Sequence, residues 1–120
     1  MVSHHNKCVT DLLLHPYILG IENVIFRASE ALWTPDGNGQ VSLETDAIFY
    51  TGHYYELPWH LIEFKSTDVK RQKAVEQLYK GRKHIQKIMR SDAYLYFVFK
   101  KPHDAIYYIE TYGRDRRKRK

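Results

Sequence analysis

Two carboxylates and one amine make the most promising set for chemistry in this chain. Glu63 and Lys65 stand one residue apart in the apolar stretch LIEFKST, and Asp46 lies in the earlier alternating stretch VSLETDAIFY. Buried charges are costly unless they are paired or bind a metal. Two carboxylates with nearby main-chain carbonyls offer the hard oxygen ligands that suit Mg²⁺ or Mn²⁺. The residues therefore predict a divalent cation at Asp46 and Glu63.

The alternation of side chains along a strand decides which of these groups can meet. Glu63 and Lys65 point to one side of their strand and Phe64 points to the other. If the strands that carry Asp46 and Glu63 pair, the two carboxylates converge near one face of the sheet. Lys65 beside a metal could then polarise a water molecule or stabilise the negative charge that develops on a phosphate. The alternatives are an edge-strand ion pair for Glu63 and Lys65, and a solvent-facing position for Asp46.

The elements that must position this set are read from apolar spacing and turn residues. Helical spacing from Pro16 onward predicts a first helix over residues 16–32. The stretch TPDGNGQ at residues 34–40 predicts a turn. The remaining predicted elements are strands at 41–50 and 54–66, a helix at 66–89, and strands at 93–100 and 105–112. This order predicts an α/β fold in which helices flank a mixed central sheet.

Positive charge is concentrated in the second half of the chain. Residues 1–64 carry two basic and eight acidic side chains, whereas residues 65–120 carry seventeen basic and six acidic ones. Such asymmetry indicates a polyanionic partner, although a solvated helix face and a basic tail would also explain it. The basic side chains of the second predicted helix are candidate nucleic-acid ligands: Lys70, Arg71, Lys73, Lys80, Arg82, Lys83 and Lys87.

The combination resembles the PD-(D/E)XK nuclease superfamily, which includes restriction endonucleases and archaeal Holliday-junction resolvases. The resemblance covers residues 18–112 and rests on an upstream helix with a Glu, a strand with Asp46, a strand ending in Glu63-Phe64-Lys65, and a basic helix. It implies a restriction-endonuclease-like α-β-β-β-α-β core, which has one more strand before the second helix than the order above. It also implies Mg²⁺- or Mn²⁺-dependent hydrolysis of DNA phosphodiester bonds.

The same resemblance implies roles for individual residues of the site. Asp46 and Glu63 would ligate the catalytic metal, and the main-chain carbonyl of Phe64 would add a third ligand. Lys65 would orient or activate the attacking water molecule. Recognition would follow DNA structure or backbone, because the chain has no long extra loops for reading bases.

Two further positions in this assignment have alternatives. An acidic residue on the first helix would complete the site, and Glu22 is assigned this role with Glu30 as the alternative. The literal Pro-Asp pair, Pro35-Asp36, lies in the turn TPDGNG, so Asp46 is preferred over Asp36 as the metal ligand. In the second predicted helix no Gln is followed by Tyr four residues later, so the Gln-x-x-x-Tyr branch of the superfamily is not indicated.

The remaining sequence features limit the class of protein. Length predicts one domain over residues 1–112, followed by a disordered basic tail over 113–120. The single cysteine, Cys8, excludes an internal disulfide, and the poor match of the N-terminus to a signal peptide favours a cytoplasmic location. No apolar run is long enough to cross a membrane. The spacing of the histidines does not predict a zinc site, and the pair His4-His5 is interpreted as incidental.

DNA is the expected partner, and a homodimer would bring two sites to two strands. The main alternative is a nucleic-acid-binding module on the same fold that has no turnover. A weaker alternative is a domain that binds a protein partner through the aromatic residues near Tyr54, Tyr55 and Trp59.

Overall fold

A five-stranded mixed sheet with one helix on each face forms the core of the protein. The computed structural model describes residues 3–33 and 43–113. Its elements are, in chain order, α1 (His4–Leu14), β1 (Phe26–Trp33), β2 (Leu43–Tyr50), β3 (Trp59–Lys65), α2 (Arg71–Met89), β4 (Ala93–Phe99) and β5 (Tyr108–Tyr112). The strands lie in the order β1-β2-β3-β4-β5, with β3 and β4 parallel and the other neighbours antiparallel. The predicted α/β class with a mixed central sheet is confirmed.

The two sides of the sheet are covered by different helices, and alternate residues of β3 divide between them. On the α1 side, Leu12 and Phe64 belong to one apolar cluster. On the α2 side, Leu61 and Leu78 belong to another. Because Glu63 follows Leu61 by two residues, its side chain lies on the α2 side of the sheet.

The predicted first helix over residues 16–32 is wrong. The first helix is α1, where Ser3 caps the N-terminus by accepting a hydrogen bond from the Asn6 N–H at 3.1 Å. Pro16–Leu19 forms only a 3₁₀ turn, which ends at Gly20 with a φ of 77°. Glycine adopts this left-handed conformation without steric cost, so the helix stops there. Pairing with β2 then holds β1 extended, and this tertiary contact overrides the helical spacing of the apolar residues.

The extra strand changes the order of the elements. Because β1 lies inside the segment predicted as helix, the observed order is α-β-β-β-α-β-β. The other four strands and α2 occur where the sequence predicts them, although β3 starts only after Pro58. The predicted turn at 34–40 and residues 114–120 of the predicted tail lie outside the described residues. Within the described ranges, no helix has the length and apolar character that a membrane crossing needs.

His60 forms a buried polar cluster on the α1 side of β3. The residue is 1% exposed. Its Nε2 lies 2.9 Å from the hydroxyl oxygen of Thr51, and its Nδ1 lies 2.8 Å from that of Tyr96. Burial disfavours the charged imidazolium and lowers the pKa of His60 to about 4. The neutral imidazole is therefore part of the folded core.

We expect this histidine to make the protein less stable as the pH falls from 6.5 to about 4, the window between its unfolded and folded pKa values. In that window the unfolded chain binds a proton that the native state does not bind. The loss is at most about 3.5 kcal/mol, because each pKa unit corresponds to about 1.4 kcal/mol. Urea unfolding across the window measures the loss. The variant His60→Gln should lack this component, and the exposed-site control His103→Gln should retain it; an unchanged profile in His60→Gln would contradict the assignment.

Candidate functional site

Strands β2 and β3 change their mode of pairing beside Asp46. Their antiparallel register pairs Ala47 with Ile62. Continued by two residues, this register would set the Phe64 N–H against the main chain of Thr45. The Phe64 N–H donates to Asp46 Oδ2 at 2.9 Å instead. A carboxylate thus takes the place of a main-chain acceptor, and Asp46 becomes part of the sheet.

Asp46 and Glu63 are held together by their own hydrogen bonds. The Asp46 N–H donates to Glu63 Oε1 at 3.3 Å. Both residues are buried, since Asp46 is 8% exposed and Glu63 is 5% exposed. Two adjacent carboxylates at this depth repel each other and lose hydration, so a bound cation would offset a substantial cost.

One cavity collects the three residues that the sequence singles out. Its lining is shared by the sheet and α2: Asp46, Glu63, Lys65, Lys73, Ala74 and Gln77. The cavity has a volume of about 160 Å³. At about 30 Å³ for each water, this is room for a cation with several waters. The two carboxylates and the amine therefore meet on the α2 side of the sheet, where strand alternation places them.

His5 of α1 reaches the same carboxylate from another direction. Its Nε2 lies 3.3 Å from Asp46 Oδ2, the oxygen that also accepts the Phe64 N–H. The His5 and Phe64 rings pack in an edge-to-face arrangement, with ring centroids 5.7 Å apart. The sequence interpretation of His5 as incidental is wrong, because the residue contacts the candidate site. No local sequence pattern reveals this contact, because His5 and Asp46 lie 41 positions apart along the chain.

Asp46 is also accessible from the α1 side of the sheet. A second cavity of about 170 Å³ is lined there by His5, Asn6, Val9, Thr10, Ser29 and Asp46. The gap between β2 and β3 therefore leaves one carboxylate in contact with cavities on both faces. The two faces differ in chemistry, because the α2 side adds Glu63 and Lys65 and the α1 side adds an imidazole.

The two acids that were weighed for completing the site lie in different elements. Glu22 lies on no helix; it is exposed in the loop before β1, where its N–H donates to the Tyr55 hydroxyl at 2.9 Å. The described lining of neither cavity includes Glu22. Ser29 pairs with Ala47 in the β1–β2 register, so the main chain of Glu30 falls opposite Asp46. The premise that placed Glu22 on a helix is corrected, and the choice between Glu22 and Glu30 stays a prediction.

The donor set is small for a metal centre. In residues 3–33 and 43–113, no group of three or more His, Cys, Asp and Glu side chains is arranged to hold a metal ion. Two carboxylates are nonetheless a usual protein contribution to Mg²⁺, which keeps several waters and takes further oxygens from phosphates. In an extended strand a residue's N–H and C=O point to the same neighbour, so the Phe64 carbonyl faces the β2 side, as its N–H does. Asp46, Glu63 and this carbonyl fit such an ion.

The basic residues of α2 divide into exposed and buried ones. Most of the predicted ligands are exposed: Lys70, Arg71, Lys73, Lys80, Lys83 and Lys87. Arg82 is 3% exposed. Its Nη2 donates to the Ala93 carbonyl at 2.8 Å and to the Gly113 carbonyl, and its Nε lies 3.3 Å from Asp92 Oδ1. Arg82 therefore joins α2 to β4 and to the end of β5, and we remove it from the candidate nucleic-acid surface.

A comparison of the sequence with models of known protein families and with curated proteins finds no match. The functional interpretation of the site therefore depends on the chemistry and geometry of its own residues.

Proposed function

We propose that the protein is a metal-dependent nuclease that hydrolyses DNA phosphodiester bonds on a restriction-endonuclease-like fold. The observation that carries the proposal is the convergence of Asp46, Glu63 and Lys65 around one cavity. The element order α-β-β-β-α-β, followed by one further strand, agrees with the core of the superfamily that the sequence resembles. Lys73 of α2 lines the same cavity, and further exposed lysines follow along the helix and supply charge for a polyanionic substrate.

In this proposal the metal is held by oxygen ligands from two neighbouring strands. Asp46 and Glu63 contribute carboxylates, and Phe64 contributes its main-chain carbonyl. A Mg²⁺ ion bound there would supply Lewis acidity and make a bound water more acidic. The Lys65 ammonium, in the same cavity, donates hydrogen bonds to the attacking water or to a phosphate oxygen as negative charge develops.

The surrounding residues position these ligands rather than react. The Phe64 N–H fixes one oxygen of Asp46, and His5 Nε2 approaches the same oxygen at 3.3 Å. Partners of this kind orient a ligating carboxylate, and their loss commonly costs about 10- to 100-fold in metal affinity or activity. We assign His5 as a positioning residue for Asp46.

The test is DNA cleavage by wild type and by variants that preserve shape. Plasmid, linear, single-stranded and branched DNA are incubated with the protein in Mg²⁺, in Mn²⁺ and in a chelator. Wild type should cleave at least one form with metal only, and Asp46→Asn and Lys65→Ala should not cleave. The control Glu56→Gln alters an exposed acid in the loop at the other end of the β2–β3 hairpin and should cleave normally. If wild type binds DNA but cleaves it in neither metal, the nuclease proposal is rejected in favour of a non-catalytic nucleic-acid-binding module.

A further inference from the structure

Three lysines of α2 form a straight row that starts at the candidate site. Lys73, Lys80 and Lys87 are exposed and recur every seven residues. Seven residues make nearly two helical turns, so the row drifts by only about 20° around the helix at each step. At about 1.5 Å of rise per residue, the row is about 21 Å long. Its first member, Lys73, lines the cavity that holds the carboxylates.

The charge of this row is available to a ligand, unlike that of the neighbouring arginines. Arg71 Nε donates to Glu110 Oε1 at 2.7 Å, and Arg82 is buried beside Asp92. In the described part of the chain, the three lysines of the row make no ion pair of this kind. A phosphate bound there would therefore not compete with an existing salt bridge.

We propose that Lys73, Lys80 and Lys87 bind backbone phosphates of a DNA duplex that lies along α2 and enters the cavity beside Lys73. This inference rests on the proposed function for the identity of the polyanion. With about 3.4 Å of duplex axis per base pair, a row of about 21 Å lies along about six base pairs. The row thus holds the backbone on one side of the cleavage position only.

The composition of α2 favours a duplex over a single strand. Proteins that bind single strands stack bases on aromatic side chains. Tyr79 is the one Phe, Tyr or Trp among the residues of α2, and its ring lies against Tyr112, with centroids 6.2 Å apart. At about 100° per residue, Tyr79 lies about 100° around the helix from Lys80. A row of cations without a Phe, Tyr or Trp beside it favours contact with a continuous phosphate backbone over base stacking.

Duplex binding in a chelator tests the row separately from cleavage. The fluorescence anisotropy of a labelled 20-base-pair duplex (about three times the length of the row) is measured at several salt concentrations. Lys80→Gln and Lys87→Gln should each weaken binding on the order of tenfold at low salt, and each should reduce the slope of log K against log salt by about 0.9. The control Lys7→Gln changes an exposed lysine on α1, on the opposite face of the sheet, and should leave the slope unchanged.

Three outcomes would overturn the inference. One is an unchanged slope in the row variants. Another is a loss of duplex affinity in Lys83→Gln equal to that in Lys80→Gln, which would mean that the DNA contacts α2 generally and not the row alone. The third is tighter binding of a single strand of the same length, with the same dependence on the lysines. The binding assay contains a chelator, so it tests the lysine row independently of metal-dependent cleavage. If duplex binding depends on the row lysines but no DNA is cleaved in the Mg²⁺ assay, the row is upheld and the nuclease proposal is rejected. If DNA is cleaved but binding does not depend on these lysines, the nuclease proposal is upheld and the row is rejected.

Discussion

Glu63→Gln should reduce DNA cleavage at least about a thousandfold and leave the free energy of unfolding within about 1 kcal/mol of wild type. The loss follows from the Lewis acidity of the metal, worth several kcal/mol in the transition state, at about 1.4 kcal/mol for each tenfold in rate. We expect stability to be preserved because glutamine has the shape of glutamate. Its side-chain oxygen can also accept the hydrogen bond that the Asp46 N–H donates to Glu63 Oε1 at 3.3 Å in the wild type. Removing one of two buried carboxylates also relieves their repulsion.

Three measurements separate these effects. Cleavage rates in Mg²⁺ give the chemical loss, and urea unfolding in a chelator gives the stability. Urea unfolding with Mg²⁺ then reports binding, because an ion at ten times its dissociation constant stabilises the native state by about 1.4 kcal/mol. Wild type and the control Glu56→Gln should show this gain, and Glu63→Gln should show little of it. A variant that cleaves DNA like wild type would exclude Glu63 as a metal ligand.

The second large effect concerns stability. Arg82→Ala should lower the free energy of unfolding by about 3 kcal/mol or more, because buried acceptors would lose their donor. The affected groups are the carbonyls of Ala93 and Gly113 and the carboxylate of Asp92, which is less buried than Arg82. The neighbouring Lys83→Ala changes an exposed cation and should stay within about 0.5 kcal/mol of wild type.

Urea unfolding of both variants measures the difference, and duplex binding below the unfolding transition checks the assignment. Folded Arg82→Ala should bind DNA with the salt dependence of wild type. A stable Arg82→Ala protein with weakened DNA binding would contradict the structural role and return the residue to the nucleic-acid surface.

The convergence of Asp46, Glu63 and Lys65 could be predicted from local sequence patterns, whereas the first secondary-structure element depends on long-range pairing. Alternation in β2 and β3 and the length of α2 are local patterns, so the meeting of Asp46, Glu63 and Lys65 could be expected from them. The segment that becomes β1 has helical spacing as well, and only pairing with β2 makes it a strand. The assignment of Glu22 depended on that helix and failed with it.

His5 and Arg82 also make long-range contacts that local sequence patterns do not reveal. His5 meets Asp46 across 41 positions of sequence, and no local pattern carries that contact. Arg82 could have been recognised as buried, since it lies four residues after Leu78 and three before Ile85 on the apolar face of α2. Its partners, on β4 and after β5, could not be inferred without the fold.

The hydrogen bond from the Phe64 N–H ties the Asp46 carboxylate to the backbone of β3. It belongs to the folded chain itself, so the sheet would hold this proposed metal ligand in place. In the proposed nuclease, binding of an ion at Asp46 would then need little additional ordering of the chain. Asp46 thus has an architectural role in the sheet besides its proposed catalytic one, whereas Lys65 is assigned a role only in the proposed reaction. If the proposed activity were lost in a descendant of this protein, Lys65 would be free to change before Asp46.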